Sequence, residues 1–393
     1  MNRKERRAGR KGGHSPSAGQ SPPAAPGGEA HGPLALHAQG VKAYGAGQLQ
    51  EAASLIARAI AADGRMASFH YNLAIVLKAQ GKLTEAAAAY GHAIALNPDY
   101  GDAHNNLGNV WKDLGEKAKA RASFEAALRL KPGNADTHYN LGVLYGEAGA
   151  RAEAARHFQA CLDSDPGDSR GARLLLAHLG AGAAPPQAAP AHLLKLYEVR
   201  AGFWDGEKTY YGAALAAEAL RTHAAQVGLN VLDIGCGTGL AGELVRPLAG
   251  RLDGVDLSPA MLEKAKAKGI YDNLALGDFA SVMAERAGSY DAVLGAAVLI
   301  HFGDLSGIFQ AAAACLRKNG LFIFTLFAGN GADFAVASST RLAQSGCFAH
   351  DAAYVRRLAE AQGFSVVSLD EVVHERDQDD RAVAGLLAVL RAP

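Results

Sequence analysis

Val231-Leu232-Asp233-Ile234-Gly235-Cys236-Gly237-Thr238-Gly239 is the stretch on which the reading of this chain turns. Four residues suited to a buried strand, one of them acidic, run straight into glycines at every second position. The dinucleotide fingerprint G-x-G-x-x-G would need its third glycine at position 240, which is Leu240 here. On either side, short apolar runs alternate with helical stretches. Val231–Ile234 precedes a helix near Gly239–Leu248, and Leu252–Asp256 precedes one at Pro259–Lys268. A strand at Asn273–Leu276 leads to a helix near Phe279–Ala287. Ala292–Ala296 is followed by a helix at Leu305–Arg317 and the strand Leu321–Phe327. This alternation predicts an α/β doubly wound, Rossmann-like domain with a mostly parallel sheet. The end departs from it: helix Ala352–Ala361 and strands Phe364–Leu369 and Leu386–Leu390, the last two joined only by a loop, predict a closing antiparallel hairpin and seven strands in all.

The glycine stretch resembles motif I of class I methyltransferases. Two further marks follow in that family's order. Asp256 ends Leu252-Asp253-Gly254-Val255-Asp256-Leu257-Ser258, about 20 residues beyond the glycines, where a carboxylate can accept hydrogen bonds from both ribose hydroxyls. Asp253 lies inside the strand rather than at its carboxyl end. Gly277-Asp278-Phe279 is similar to the segment that takes the adenine amino group and covers the ring, although Asp278 also sits where a helix cap belongs. The resemblance implies S-adenosylmethionine as cofactor and a site made of Asp233, Gly235, Gly237, Gly239, Asp256, Leu257, Asp278 and Phe279. Gly235 and Gly237 would let bare backbone approach the methionine part, whose ammonium group Asp233 would orient. Asp291 is expected to be structural, and Cys236 to pack.

Upstream, Tyr197-Glu198-Val199-Arg200-Ala201-Gly202-Phe203-Trp204-Asp205 is similar to the segment that begins a helical lid over the cofactor in many small-molecule methyltransferases. Tyr210 and Tyr211 follow and are expected to reach the sulfonium side, Tyr211 as the catalytic candidate. His301, in the loop Ala297–Gly303 beyond the fourth strand, is the candidate base, because ligands of open α/β sheets bind at the carboxyl ends of strands. No metal-ligand set is expected.

The first half carries an internal period. Gly47, Gly81, Gly115 and Gly149 are each 34 residues apart, as are Ala52, Ala86, Ala120 and Ala154, and Pro98, Pro132 and Pro166. Leu73, Leu107 and Leu141 keep step, ahead of Ala74, Gly108 and Gly142. This pattern resembles the tetratricopeptide repeat, in four units starting near 33, 67, 101 and 135. Small residues mark where paired helices approach closely, glycine permits the left-handed turn, and proline stops the second helix. Residues 169–180 would cap the array, so the repeats span 33–180. Asn72, Asn106 and Asn140 share one phase, where helix propensity gives no reason for asparagine. That ladder resembles the one lining the repeats of O-linked N-acetylglucosamine transferases and implies a peptide-binding groove.

Residues 1–32, basic at Arg3-Lys4-Glu5-Arg6-Arg7 and then rich in Pro and Gly, read as a disordered tail without a secretion signal. Residues 181–191, Ala-Gly-Ala-Ala-Pro-Pro-Gln-Ala-Ala-Pro-Ala, read as a linker, leaving 192–393 to the methyltransferase domain with its lid. A balance of 39 basic and 39 acidic residues points to neither a DNA nor a membrane partner. Four scattered cysteines fit a reducing cytoplasm. As a whole the chain resembles predicted bacterial methyltransferases with tetratricopeptide repeats, sharing a tail like Phe348-Ala349-His350, Tyr354, Arg356-Arg357-Leu358-Ala359 and Gly363-Phe364. The resemblance implies methyl transfer to oxygen or nitrogen of a peptide, protein or small molecule, and supplies no acceptor. The alternative is an interaction scaffold whose second domain binds S-adenosylmethionine without catalysis.

Overall fold

The computed structural model describes residues 32–206, 209–329, 331–337, 340–377 and 379–393. All but the last residue of the expected tail lies outside them. They form two compact units, one ending at Gly115 and the other running from Glu116 to Pro393.

In the first unit, α1 (Pro33–Gly45), α2 (Leu49–Ala62), α3 (Ala67–Ala79), α4 (Leu83–Leu96) and α5 (Gly101–Asp113) are antiparallel neighbours. A Cβ on Gly40 would lie 2.5 Å from Ile56 Cγ1, so the small residue sets the approach of α1 to α2. Gly47 and Gly81 turn the chain at φ +75°. The amide of Asn72 pairs with His37 Nε2 at 2.7 Å, and that of Asn106 donates to the Tyr71 hydroxyl at 2.9 Å. Each amide therefore ties its helix to the first helix of the preceding repeat.

The second unit begins with repeat helices α6 (Lys117–Leu130), α7 (Ala135–Glu147) and α8 (Arg151–Ser164), then α9 (Ala172–His178). Asn140 lies half-buried in α7. Phe158 fills the space opposite Gly142, where a Cβ would come within 2.6 Å of its ring. His138 Nε2 bonds the Pro132 carbonyl, as His104 bonds Pro98 and His70 bonds Gly64 in the first unit. These histidines recur every 34 residues and close each turn between repeats.

The α/β domain follows. Its strands are β1 (Leu229–Ile234), β2 (Ala249–Asp256), β3 (Asn273–Leu276), β4 (Tyr290–Gly295), β5 (Leu316–Ala328), β6 (Phe334–Val336), β7 (Phe348–His350), β8 (Ser365–Arg376) and β9 (Ala382–Arg391). β3, β2, β1, β4 and β5 are parallel, and the β8–β9 hairpin joins β5 antiparallel through β9. These are the seven expected strands. Two more, β6 and β7, are added at the end of β5, making nine among the described residues. The parallel strands are apolar on both faces because both are covered. Leu232, Ile234, Val293, Phe322 and Phe324 share a core with helices α14 (Phe279–Ala284), α15 (Ser306–Cys315) and α17 (Ala352–Ala361). Val231, Leu294 and Ile323 pack on Ala216, Ala217 and Leu220 of α11 (Gly212–His223).

Residues 181–191 are more than a spacer. Ala188 is buried with Leu174 of α9 and Phe348 of β7. Ala343, in α16 (Thr340–Gln344), belongs to the same core as Phe158, Leu175 and Leu176. The last repeat, its cap and the β6–β7 insertion thus share one interior.

Candidate functional site

At the carboxyl end of β1 the chain turns through Gly235, Gly237 and Gly239 with φ of +61°, +56° and +92°, conformations that favour glycine. A Cβ on Gly235 would strike Val298 at 2.3 Å, while at Gly237 nothing lies within 4 Å. Bare backbone therefore borders a cavity of about 560 Å³. Seven of the eight residues expected at the cofactor line it: Asp233, Gly235, Gly237, Asp256, Leu257, Asp278 and Phe279. Gly239 does not. It caps α12 (Leu240–Val245), and its side-chain position faces Tyr271 at 3.2 Å.

The three acidic residues are held differently. Asp233 is buried and accepts a 2.7 Å hydrogen bond from the Tyr271 hydroxyl, and burial pushes its carboxyl up to about 7. Asp256, at the end of β2, accepts from the Gly237 and Ser258 N–H groups, both at 2.8 Å. Burial raises this carboxyl too. Asp278 both borders the cavity and caps α14, accepting from Ala280 and Ser281 N–H. Asp253 is instead engaged by Arg251, Arg286, Asn273 and Tyr290, and Asp291 by Arg317 and the Asn230 N–H. Both carboxylates lie outside the cavity lining.

On the remaining wall, Tyr197 projects from α10 (Pro190–Arg200) together with Leu193 and Leu194. Its hydroxyl lies 2.6 Å from His301 Nε2, and His301 Nδ1 lies 2.9 Å from the Gly346 carbonyl oxygen. A carbonyl can only accept, so Nδ1 carries the proton and Nε2 accepts from the phenol. Burial lowers the His301 imidazole to about 4, so the ring is neutral at pH 7. The Arg200 guanidinium lies 5.6 Å from the ring centres of both Tyr197 and Trp204 and donates to Ser345 Oγ. Tyr211 is not part of the lining. It precedes α11, its N–H donating to the His374 carbonyl, and its neighbour Tyr210 borders the cavity. Ala297, also on the wall, holds φ +57°, a strained setting for a residue with a side chain.

Sequence reasoning did not single out Pro186, Gln187 and Ala188, which border the cavity. Their hydrogen-bond partners are more than 100 residues away, and Pro/Ala composition carries no trace of them. His350 and Tyr354 of the tail do have a visible place: His350 Nε2 bonds the Phe302 carbonyl, and the Tyr354 hydroxyl accepts from the Leu305 N–H. Both fix the turn that carries His301. Among the described residues, no group of three or more His, Cys, Asp or Glu is placed to hold a metal ion.

The geometry fits the donor implied by the motif: bare backbone at the glycine turn and carboxylates at the ends of β1, β2 and β3. Comparison with known proteins agrees. Residues 206–369 match the family model of a methyltransferase domain, and residues 37–90, 72–135 and 113–179 match models of the tetratricopeptide repeat. The chain is 28% identical over 165 residues to a ubiquinone biosynthesis O-methyltransferase of Nitrosococcus oceani, covering 37% of this chain and 70% of that one. It is 35% identical over 104 residues to the protein of the same name in Xanthomonas axonopodis pv. citri, covering 25% of this chain and 44% of that one. Among solved structures, the crystal structure of MamA matches with 27% identity over 35% of this chain and 81% of that one, with a TM-score of 0.34. The 1,6-didemethyltoxoflavin-N1-methyltransferase of Burkholderia thailandensis, with S-adenosylhomocysteine bound, matches with 20% identity over 53% and 93%, with a TM-score of 0.41. The chain thus carries tetratricopeptide repeats followed by a methyltransferase domain.

Proposed function

We propose that the protein transfers a methyl group from S-adenosylmethionine to a hydroxyl or amine of an acceptor seated against Tyr197, and that the repeats bring that acceptor or its carrier to the site. The hydrogen bond from Tyr197 to His301 in the same cavity as the glycine turn carries this reading. The sulfonium supplies a good leaving group, so the protein's work is alignment, exclusion of water and, for a hydroxyl acceptor, removal of one proton. Asp233 would orient the donor's ammonium group, Asp256 its ribose and Asp278 its adenine. When bound, S-adenosylmethionine would supply its methyl carbon to the acceptor oxygen, its S–CH3 bond breaking to leave neutral S-adenosylhomocysteine. The acceptor's proton passes to the Tyr197 oxygen while that phenol's own proton moves to His301 Nε2. The Gly346 carbonyl, accepting from Nδ1–H, steadies the imidazolium that results.

The acceptor side of the cavity favours an apolar body. Pro186, Leu193, Leu194, Trp204, Val298 and Ile308 line it. The names of the curated relatives favour oxygen over nitrogen. The repeats are the kind of module that binds polypeptide, and the amide oxygens of Asn72 and Asn106, whose nitrogens make the bonds between repeats, leave accepting capacity for one. A cytoplasmic site of action belongs to the same reading, supported by four cysteines that are free thiols.

The test is twofold. Calorimetry with S-adenosylhomocysteine should show binding, and labelled methyl groups should appear on a component of a host lysate. His301→Gln and Tyr197→Phe should each keep cofactor affinity and lose about 10²–10⁴-fold in labelling rate. Wild-type labelling by both variants would refute the proton route. Replacing Asn72, Asn106 and Asn140 with alanine should raise the Michaelis constant alone. An unchanged constant would remove the asparagines from acceptor recruitment.

A further inference from the structure

His301 is gripped by residues that lead back to the repeats. Its carbonyl oxygen accepts from the Ala188 N–H at 2.8 Å, and the Gly303 and Asp304 N–H groups donate to the Pro186 carbonyl at 2.8 and 3.0 Å. Gln187 and Phe302 form an antiparallel bridge between these bonds. The connector therefore lies along the His301 turn as a short added strand.

The side chain of His301 is held from the same direction. Its Nδ1–H donates to Gly346, whose φ is +75°. A Cβ on Gly346 would stand 3.1 Å from Ala188 Cβ and 3.3 Å from both His192 Cδ2 and Leu193 Cδ2. The buried His192 ring in turn abuts Gly171, where a Cβ would come 3.0 Å from its Nε2. Gly171 caps α9, the helix that ends the repeat array. Backbone groups of Gln344 and Ser169 also engage this ring. From α9 through His192 to Gly346, a Cβ at either glycine would sit 3.0–3.3 Å from its neighbours, closer than ordinary van der Waals contact, and Gly346 then meets His301 by a hydrogen bond.

We infer that the connector Pro186–His192 is a positioning element of the methyl-transfer site, with His192 as the residue that sets Gly346 beneath His301, so that the end of the repeat array completes the enzyme's site. The inference rests on the proposed reading of His301 as the proton acceptor. It explains the course of residues 186–192, which a flexible tether would not need. Because α9 shares its core with the last repeat and with Ala343, the same contacts fix the distance between that last repeat and the reacting pair.

The full-length protein, labelled with 15N-histidine, tests this by NMR. In the wild type, His301 should appear as a single Nδ1–H tautomer with slowly exchanging ring N–H. In His192→Gln and His192→Ala, S-adenosylhomocysteine affinity should stay within about threefold, while the His301 ring N–H exchanges about tenfold faster or more and the tautomers mix. Unchanged His301 signals in both variants would overturn the inference. Loss of cofactor binding in both would overturn it too, since His192 would then support the fold at large. Labelling by His301→Gln separates the two ideas: wild-type rates there refute the proton route, whereas the ring signals report positioning alone.

Discussion

The Tyr271 hydroxyl donates to the Asp233 carboxylate over 2.7 Å at the floor of the glycine turn. That hydrogen bond partly offsets the burial of the carboxyl, and the group still stands at about 7 against an ordinary 3.8. Pairing with the donor's ammonium requires the ionised form. Affinity for S-adenosylhomocysteine should therefore rise with pH and level off above about 7, by up to about tenfold per unit well below that point. Calorimetry across the range measures it. A flat profile in the wild type, or a sloped one in Asp233→Asn, would show that another group carries the ammonium.

Acid stability follows from groups of the opposite sign. Burial lowers His301, His350 and His374 each to about 4, from an ordinary 6.5. The unfolded chain takes up their protons first, so folding stability is lost as pH falls from about 6.5 toward 4. Asp233 works the other way, since its raised carboxyl favours the folded state below 7 and that contribution fades as pH rises. Asp168 and Asp256 are raised as Asp233 is, but six histidines, with His37, His157 and His192 among them, are lowered by burial and outweigh these three carboxyls over this window. The melting temperature should fall steadily from pH 6.5 to 4.5, and the fall should be shallower in His350→Asn. A stability maximum near pH 4.5 would contradict the burial of these rings.

Asp256 accepts backbone N–H groups from both sides of the cavity floor, Gly237 and Ser258. Its removal would take away the proposed ribose contact and also free the glycine turn. Asp256→Ala should weaken S-adenosylhomocysteine by about 1.5–3 kcal/mol, the value of hydrogen bonds to a charged group. Asp253→Ala should leave affinity unchanged and lower the melting temperature, because it strands Arg286 and Tyr290. The reverse assignment would appear at once as the reverse pair of results.

Sequence was most informative where one contact is repeated. Helices begin at Pro33, Ala67, Gly101 and Ala135, as the period of 34 predicts, because every repeat packs in the same way. The in-register asparagines had a second explanation that periodicity could not reveal: Asn72 and Asn106 bond His37 and Tyr71 of the preceding repeat. His70, His104 and His138 share the period and passed unnoticed, since a histidine closing a turn has no composition signal. In the second half, the core strands were legible as apolar runs. β8 reaches Arg376 and β9 starts at Ala382, well beyond the expected ends at 369 and 386, because Asp370, Glu371, His374 and Glu375 break the apolar run of β8 and the small residues Ala382, Ala384 and Gly385 give β9 no strand signal. β6 and β7 are three residues each, and tertiary pairing alone defines them. The acidic marks were readable because each ends a strand. The wall made by Pro186–Ala188 was not, because its partners lie across the fold.

The division of the chain gives the last prediction. The first compact unit ends at Gly115, so a fragment of residues 116–393 keeps α6 to α9, the connector and the whole α/β domain. It should bind S-adenosylhomocysteine as the full chain does. If the early repeats recruit the acceptor, it should differ only in a raised Michaelis constant. A fragment of residues 192–393 is a different case. It lacks Ala188 and α9, and so uncovers Phe348, Val336 and Ala343. It also loses the Ala188 N–H that holds His301 and the Pro186 carbonyl that holds Gly303 and Asp304. Uncovering a buried phenylalanine and its neighbours costs several kcal/mol, roughly 1.5–3 for each large side chain, against a total stability of about 5–15. The shorter fragment should therefore melt well below the longer one, or aggregate. Equal melting temperatures and equal labelling rates for the two fragments would mean that residues 116–191 serve recruitment alone.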